Sequence, residues 1–240
     1  MKNTYRLNAR IACQLASVIS LPLLFCTGQA HASSWGAPQV VNSWNIINAR
    51  WYPNNELETF TPSCVWYEGS TLVIKTYQSG GVYYSGRVES AATYGYGTYS
   101  FTANLPSGQG LLPAVWAATL NPWLPEMDAG EVVGQNPGTV YQTFHNLSNV
   151  QTQWAKSGSW CNSWHTYSFS WFPDHIDYWL DNNYTGTAWY SLGSGYKLHF
   201  IVDTAVGGDW PGNPNSSTWA TADGARYLKV SAITYTPYYP

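Results

Sequence analysis

From about residue 71 onward, apolar and polar positions alternate in short runs, and the three-to-four residue recurrence of an amphipathic helix is nearly absent. A two-residue period sends successive side chains to opposite faces of an extended chain. It predicts strands over Thr71–Tyr77, Val82–Ser90, Gly97–Asn104, Pro113–Thr119, Glu126–Val133, Thr139–His145, His165–Phe172, His175–Leu180, Lys197–Val206 and Tyr227–Thr236. Turn-forming clusters separate the runs, among them Pro106-Ser107-Gly108, Asn136-Pro137-Gly138, Asp181-Asn182-Asn183 and Pro211-Gly212-Asn213-Pro214. Many short strands with such punctuation predict an all-β sandwich of two antiparallel sheets.

The first 32 residues have a different character. Lys2, Arg6 and Arg10 precede a mostly apolar stretch from Ile11 to Cys26, and Ala30-His31-Ala32 reads as a cleavage site. Gln14, Ser17, Ser20 and Pro22 interrupt the stretch, which is short for a bilayer span. Residues 1–32 are therefore expected to be a secretory signal peptide, residues 33–240 a single domain, and the protein secreted, extracellular or periplasmic. All 13 acids and seven of the ten Lys/Arg lie beyond residue 32, a formal net charge of 7 − 13 = −6. With no basic run, nucleic-acid binding lacks its electrostatic footprint, and an anionic membrane surface would repel the chain. Of four cysteines, Cys64 and Cys161 remain after the signal. In an oxidising compartment they are expected to form a disulfide, the alternative being two separate buried thiols. Neither has a second Cys or His at ligand spacing, so no metal site is expected there.

The chain is rich in aromatics, with 14 Trp, 19 Tyr and 7 Phe. Most should fill the space between the sheets. Trp and Tyr also pair an apolar face with a polar edge, as sugar rings do, so an aromatic groove low in charge suits a neutral polysaccharide. Against this background stands Glu126-Met127-Asp128-Ala129-Gly130-Glu131. With 13 acids in 240 residues, random placement gives roughly 0.04 acids-at-1,3,6 matches of this kind, a count low enough to call for a reason. Carboxyl groups held close in a dry setting raise one another's pKa, and a pair with split values supplies an acid and a nucleophile at one site.

Strict alternation along a strand would put Glu126 and Asp128 on one face and Glu131 on the other. One extra residue, a β-bulge at Ala129-Gly130, returns Glu131 to the face of the other two, and such bulges are frequent beside active sites. The expected roles are Glu126 as nucleophile, Glu131 as general acid and then base, and Asp128 as a helper hydrogen-bonded to Glu126. Double displacement at a sugar needs the two catalytic carboxyl groups about 5–5.5 Å apart, so the strand must curve and its end side chains lean inward. A calcium loop is disfavoured by the apolar setting and the missing D-x-D-x-D-G pattern.

At these residues the sequence resembles glycoside hydrolase family 16, the laminarinase and lichenase family, in its bulged branch. The similarity extends through Tyr94–Pro106, Gly110-Leu111-Leu112-Pro113-Ala114-Val115-Trp116, Thr139–His145, His165–Trp171 with Asp174 and Asp181, and Ala205–Gly212, in family order from about residue 51 to 236. The resemblance implies a β-jelly roll with a concave substrate cleft and a retaining endo-β-glucanase acting on β-1,3- or mixed β-1,3-1,4-glucans through a covalent glycosyl-enzyme intermediate. It implies catalysis by Glu126, Asp128 and Glu131, with substrate contacts from Trp116, Arg87, Glu89, His145, Trp123 and Trp210. It implies no cofactor and no metal, with β-glucan as the partner of a monomer. Departures are visible. Asp203 stands where the family has Asn, Ser100 and Thr102 replace Glu and Arg, and Ser231 replaces an Asp that binds calcium in many members, so that ion is not expected. Two other classes stay open: a non-catalytic β-glucan-binding jelly roll, which would have no reason to keep all three acids, and a transglycosylase or galactanase of the same family.

Overall fold

The computed structural model describes residues 33–50 and 53–240; the leader assignment falls on residues 1–32, outside the described residues. In chain order the strands are β1 (Ser34–Trp35), β2 (Gln39–Val40), β3 (Trp44–Ile46), β4 (Glu58–Phe60), β5 (Val65–Glu68), β6 (Thr71–Ser79), β7 (Val82–Ser85), β8 (Arg87–Ser90) and β9 (Gly97–Asn104). They continue with β10 (Leu111–Leu120), β11 (Trp123–Glu131), β12 (Thr139–His145), β13 (Gln151–Ser157), β14 (Trp164–Trp171), β15 (His175–Leu180), β16 (Asn183–Trp189), β17 (His199–Val206) and β18 (Ala225–Tyr239). Two short 3₁₀ turns, Pro62–Cys64 and Ser216–Trp219, complete the described elements. No helix among them is long and apolar enough to cross a membrane.

One sheet runs β16-β15-β14-β9-β18-β6-β7-β4, with β1 and β2 on β18 and β5 on β6; the other runs β13-β12-β11-β10-β17-β8-β3. Pairings are antiparallel except β4 with β7. This is the β-jelly roll expected from the alternating pattern. The run Val82–Ser90, expected as one strand, divides at Gly86 and its halves join different sheets. A Cβ on Gly86 would meet Val65 Cγ2 at 2.6 Å and the Cys64 carbonyl at 3.0 Å, so the corner must be glycine.

The core lies between the sheets and alternation selects it. From one sheet come Tyr99, Phe101 and Ala103 of β9 and Tyr167, Phe169 and Trp171 of β14; from the other, Val115 and Ala117 of β10, Met127 and Ala129 of β11 and Phe200 and Val202 of β17. Tyr99 stacks on Phe169 at 4.6 Å and on Phe200 at 4.7 Å, joining the layers. Its hydroxyl donates to the Gly95 carbonyl (2.9 Å), so the ring is buried without an orphaned polar atom. Truncating such a ring to alanine costs about 3–5 kcal/mol. The other face of the seven-stranded sheet carries the alternate residues, and there Ala114, Trp116, Ala118 and Ile201 form a separate small cluster with Leu120 and Trp123.

The expected disulfide is not formed: Cys64 and Cys161 are separate free thiols. Cys64 closes the turn before β5, while Cys161 bridges Leu105, on the β14 side of β9. From β5 to β9 the sheet crosses β6 and β18. Three strand spacings amount to about 14 Å, twice the reach of about 7 Å between disulfide-linked Cα atoms. Burial pushes the Cys64 thiol up to about 11 and Cys161 up to about 12, which leaves both protonated and inert.

Candidate active site

Strand β11 carries the expected bulge. Against β10, Val115 pairs with Gly130 and Trp116 with Asp128, so two steps on β11 match one on its neighbour. Against β12, Asp128 pairs with Thr143 and Glu131 with Tyr141, three steps against two. Met127 and Ala129 point into the core, while Glu126, Asp128 and Glu131 all line one cavity of about 380 Å³ on the opposite face. That volume lies within the range of small-molecule sites.

Two neighbours hold the bulge. A Cβ on Gly130 would meet Tyr167 Cδ1 at 2.4 Å, so the glycine is required by ring contact rather than by a left-handed backbone. The Ala129 carbonyl, displaced from the ladder, accepts from Gln142 Nε2 (2.7 Å). Gln142 is fully buried. It also donates to the Trp179 carbonyl (3.1 Å) and accepts from Thr185 Oγ1 (2.5 Å). A buried backbone acceptor needs such a partner. Nothing in the alternation singled out Gln142; a polar residue on the core-facing period of β12 was the available signal.

His145, the register partner of Glu126, brings the trio together. Its Nε2 lies 3.4 Å from Asp128 Oδ2 and 3.6 Å from Glu126 Oε1. The expected hydrogen bond between Asp128 and Glu126 is absent; both carboxyl groups converge on the imidazole. Burial raises the proton affinity of Glu126, and His145, the Trp123 indole and Arg87 oppose it. Burial lifts Asp128 well above the usual carboxylate range, reinforced by Glu126 and Asp203. Glu131 is likewise lifted well above it by burial and then by Asp128 and Glu126. Thr143 Oγ1 sits 3.5 Å from Glu131 Oε2. Two carboxyl groups on one cavity thus differ in setting: Glu126 has His145, Arg87 and an indole N–H to offset its burial, and Glu131 is raised further by its acidic neighbours.

The other half of the cavity is built on β8 and β17. Arg87 is buried and pairs with Glu89 (Nη2–Oε1, 2.8 Å) and Asp203 (Nη1–Oδ2, 3.0 Å). Its guanidinium lies 4.9 Å from the Trp116 ring and 5.8 Å from that of Trp123. Arg87, Trp116, Trp123 and His145 line the cavity; Glu89 is not among the lining residues and serves to hold Arg87. Trp210 also lies outside the lining, edge-on to Tyr141 at 4.9 Å and 41% exposed. Tyr141 pairs with Glu131, so Trp210 stands beside the catalytic strand without forming the cavity wall.

Two acids there escaped sequence reasoning. Asp203, visible only as a departure, is the cross-strand partner of Arg87. Burial raises it to about 6, held back by Arg87 and the Trp116 indole. Glu58, on β4, is buried in the cavity wall and accepts from the Val206 N–H (2.8 Å); burial pushes it up to about 8.

Residues 53–232 match the family model of glycosyl hydrolases family 16. A glucan endo-1,3-beta-glucosidase A1 from Niallia circulans is 28% identical over 56% of this chain and 24% of its own length. The endo-1,3-1,4-beta-glycanase EglC of Rhizobium meliloti is 31% identical over 49% of this chain and 26% of its own. The chain thus spans about a quarter of the length of these relatives. The laminarinase catalytic domain of Thermotoga maritima superposes with a TM-score of 0.74 at 21% identity, covering 85% of this chain and 98% of that one, a likeness of fold.

Proposed function

Since the chain belongs to glycosyl hydrolases family 16, we propose that it is an exported endo-β-glucanase that hydrolyses β-1,3- or mixed β-1,3-1,4-glucans with retention. One observation carries this reading: the bulge in β11 returns Glu131 to the cavity that Glu126 and Asp128 line. In the first step Glu126 attacks the anomeric carbon while Glu131 gives its proton to the departing glycosidic oxygen. In the second, Glu131 takes a proton from water, whose oxygen displaces Glu126 and restores the free carboxylate. Asp128 and His145 set the charge around the nucleophile. Trp116, Trp123 and Arg87 supply the ring faces and donors that hold neighbouring sugars. A cavity with six carboxyl groups beside one Arg and one His favours neutral glucans over sulfated or uronic polymers. The relatives named as glucanases support the substrate class, and the leader-like first 32 residues support export.

Glu126→Gln and Glu131→Gln should each lower laminarin and lichenan hydrolysis by roughly 10³-fold or more, about 4 kcal/mol of transition-state stabilisation, with the fold intact by near-ultraviolet circular dichroism. Near-normal turnover in both variants refutes the assignment. Binding of laminarin by the unaltered chain with no reducing sugar released favours a non-catalytic module.

A further inference from the structure

His145 presents an unusual arrangement of lone pairs. Its Nδ1 lies 3.1 Å from Asn149 Oδ1 and 3.4 Å from Gln151 Nε2. With Asn149 accepting the Nδ1 proton, Nε2 turns its lone pair toward two carboxyl oxygens, Asp128 Oδ2 at 3.4 Å and Glu126 Oε1 at 3.6 Å. Asp128 is 2% exposed, and its Oδ2 has no hydrogen-bond partner. The three donor atoms lie within 4.8 Å of one another. Electron pairs converging on one point are stabilised by a positive charge placed between them.

We propose that Glu126 Oε1, Asp128 Oδ2 and His145 Nε2 form a three-point site for a divalent transition-metal ion of the Zn²⁺ class, and that occupancy blocks turnover. A tetrahedral ion with ligands at about 2.0–2.2 Å places its donors about 3.3–3.6 Å apart along each edge. Both imidazole-to-carboxyl distances already match such an edge. One nitrogen and two oxygen donors suit Zn²⁺ or Co²⁺, whereas Ca²⁺ needs six to eight oxygens and Mg²⁺ keeps most of its water. Asn149 does for the imidazole what an outer-shell acceptor does in zinc proteins, fixing the tautomer and the ring. The fourth position opens into the cavity, where water or a sugar hydroxyl can stand. Binding of the ion is independent of the substrate reading; inhibition rests on Glu126 being the nucleophile.

The test uses the full chain with Zn²⁺ alone by calorimetry and Co²⁺ alone by visible absorption. One ion per chain is expected, with the intense bands of four-coordinate Co²⁺, unaffected by Ca²⁺ or Mg²⁺ and displaced by laminaritetraose. His145→Asn and Asp128→Asn should each weaken Zn²⁺ binding at least tenfold. Asn149→Ala, which leaves all three donors in place, should weaken it about tenfold. His175→Asn, at the separate His175–Asp174 pair, should bind as the unaltered chain does. Unchanged affinity in both His145→Asn and Asn149→Ala, or loss in His175→Asn instead, overturns the site. Stoichiometric Zn²⁺ with undiminished laminarin hydrolysis overturns the inhibition. A chain inactive on every glucan without metal would refute the proposed hydrolase, while the Co²⁺ bands would still report the site.

Discussion

The two halves of the cavity contain the same kind of group in different settings. On β11, Glu126, Asp128 and Glu131 are buried, and burial raises the proton affinity of all three, with repulsion from neighbouring acids adding to it and His145 and Arg87 opposing it at Glu126. On β8 and β17, Glu89 and Asp203 share a buried guanidinium at 2.8 and 3.0 Å, and Arg87 restrains the rise of Asp203, which reaches only about 6. What separates the two sets here is the nearest cationic side chain: Arg87 pairs directly with Glu89 and Asp203, whereas His145 stands nearest Glu126 and Asp128. Arg87 keeps its charge, and pairing with it offsets part of the burial cost at Asp203.

Removing the permanent cation breaks this contrast most severely. Arg87→Gln leaves buried Asp203 and half-buried Glu89 without their counter-ion, and breaking a buried pair in this way costs about 3–5 kcal/mol. In a domain of this size that lowers Tm by roughly 10 °C. Asp203→Asn should cost less, because Glu89 still holds the guanidinium. Thermal unfolding of both variants measures the difference; equal losses would mean that the two carboxyl groups do not share the charge as the geometry indicates.

The halves also differ in how their backbone is held, and in how far the sequence revealed them. The β11 half is legible because it depends on local spacing: acids at 126, 128 and 131 cannot share a face without an extra residue, and the bulge is present. The other half was legible only in part, because its partners are distant in sequence. The sequence presents Arg87 as a substrate contact and Asp203, 116 residues away, merely as a departure, so their pairing is visible only in the fold. Glu58 sits on a three-residue strand whose parallel partner β7 follows a turn and two intervening strands, so no local period marks it. Strand β13 carries only Trp154 as a large apolar residue among mostly exposed polar ones and so shows no period, and β7 and β8 read as one run because alternation does not register a change of sheet at Gly86. The cysteine pairing failed for the same reason as Asp203: count and compartment say nothing about three intervening strand spacings.

Gln142 is where local spacing and long-range packing meet, and it gives the intermediate effect. Gln142→Leu keeps the volume but orphans the bulge carbonyl of Ala129 and the hydroxyl of Thr185. An unsatisfied buried acceptor costs about 1–3 kcal/mol. If the bulge flattens, Glu131 turns from the cavity, and kcat should fall by roughly 10- to 100-fold with KM little changed, since misplacement of about 1 Å at a reacting group has that consequence. An unchanged kcat with reduced stability would assign Gln142 to the fold alone.

The smallest effect separates the two halves through pH. Glu58 accepts the Val206 N–H and faces Asp203 and Glu56, with no cation at hand. Its folded pKa of about 8 stands above its ordinary value of 4.5. Between those values the folded chain binds the proton and the unfolded chain does not, so stability is fully present at low pH and falls as pH rises through the window. The slope for one group is at most about 1.4 kcal/mol per pH unit. Glu58→Gln cannot ionise, so its stability should fall less steeply than that of the unaltered chain between pH 5 and 8. Denaturant midpoints at several pH values give the comparison. Parallel curves for Glu58→Gln and the unaltered chain would show that Glu58 is already ionised in the fold despite its burial.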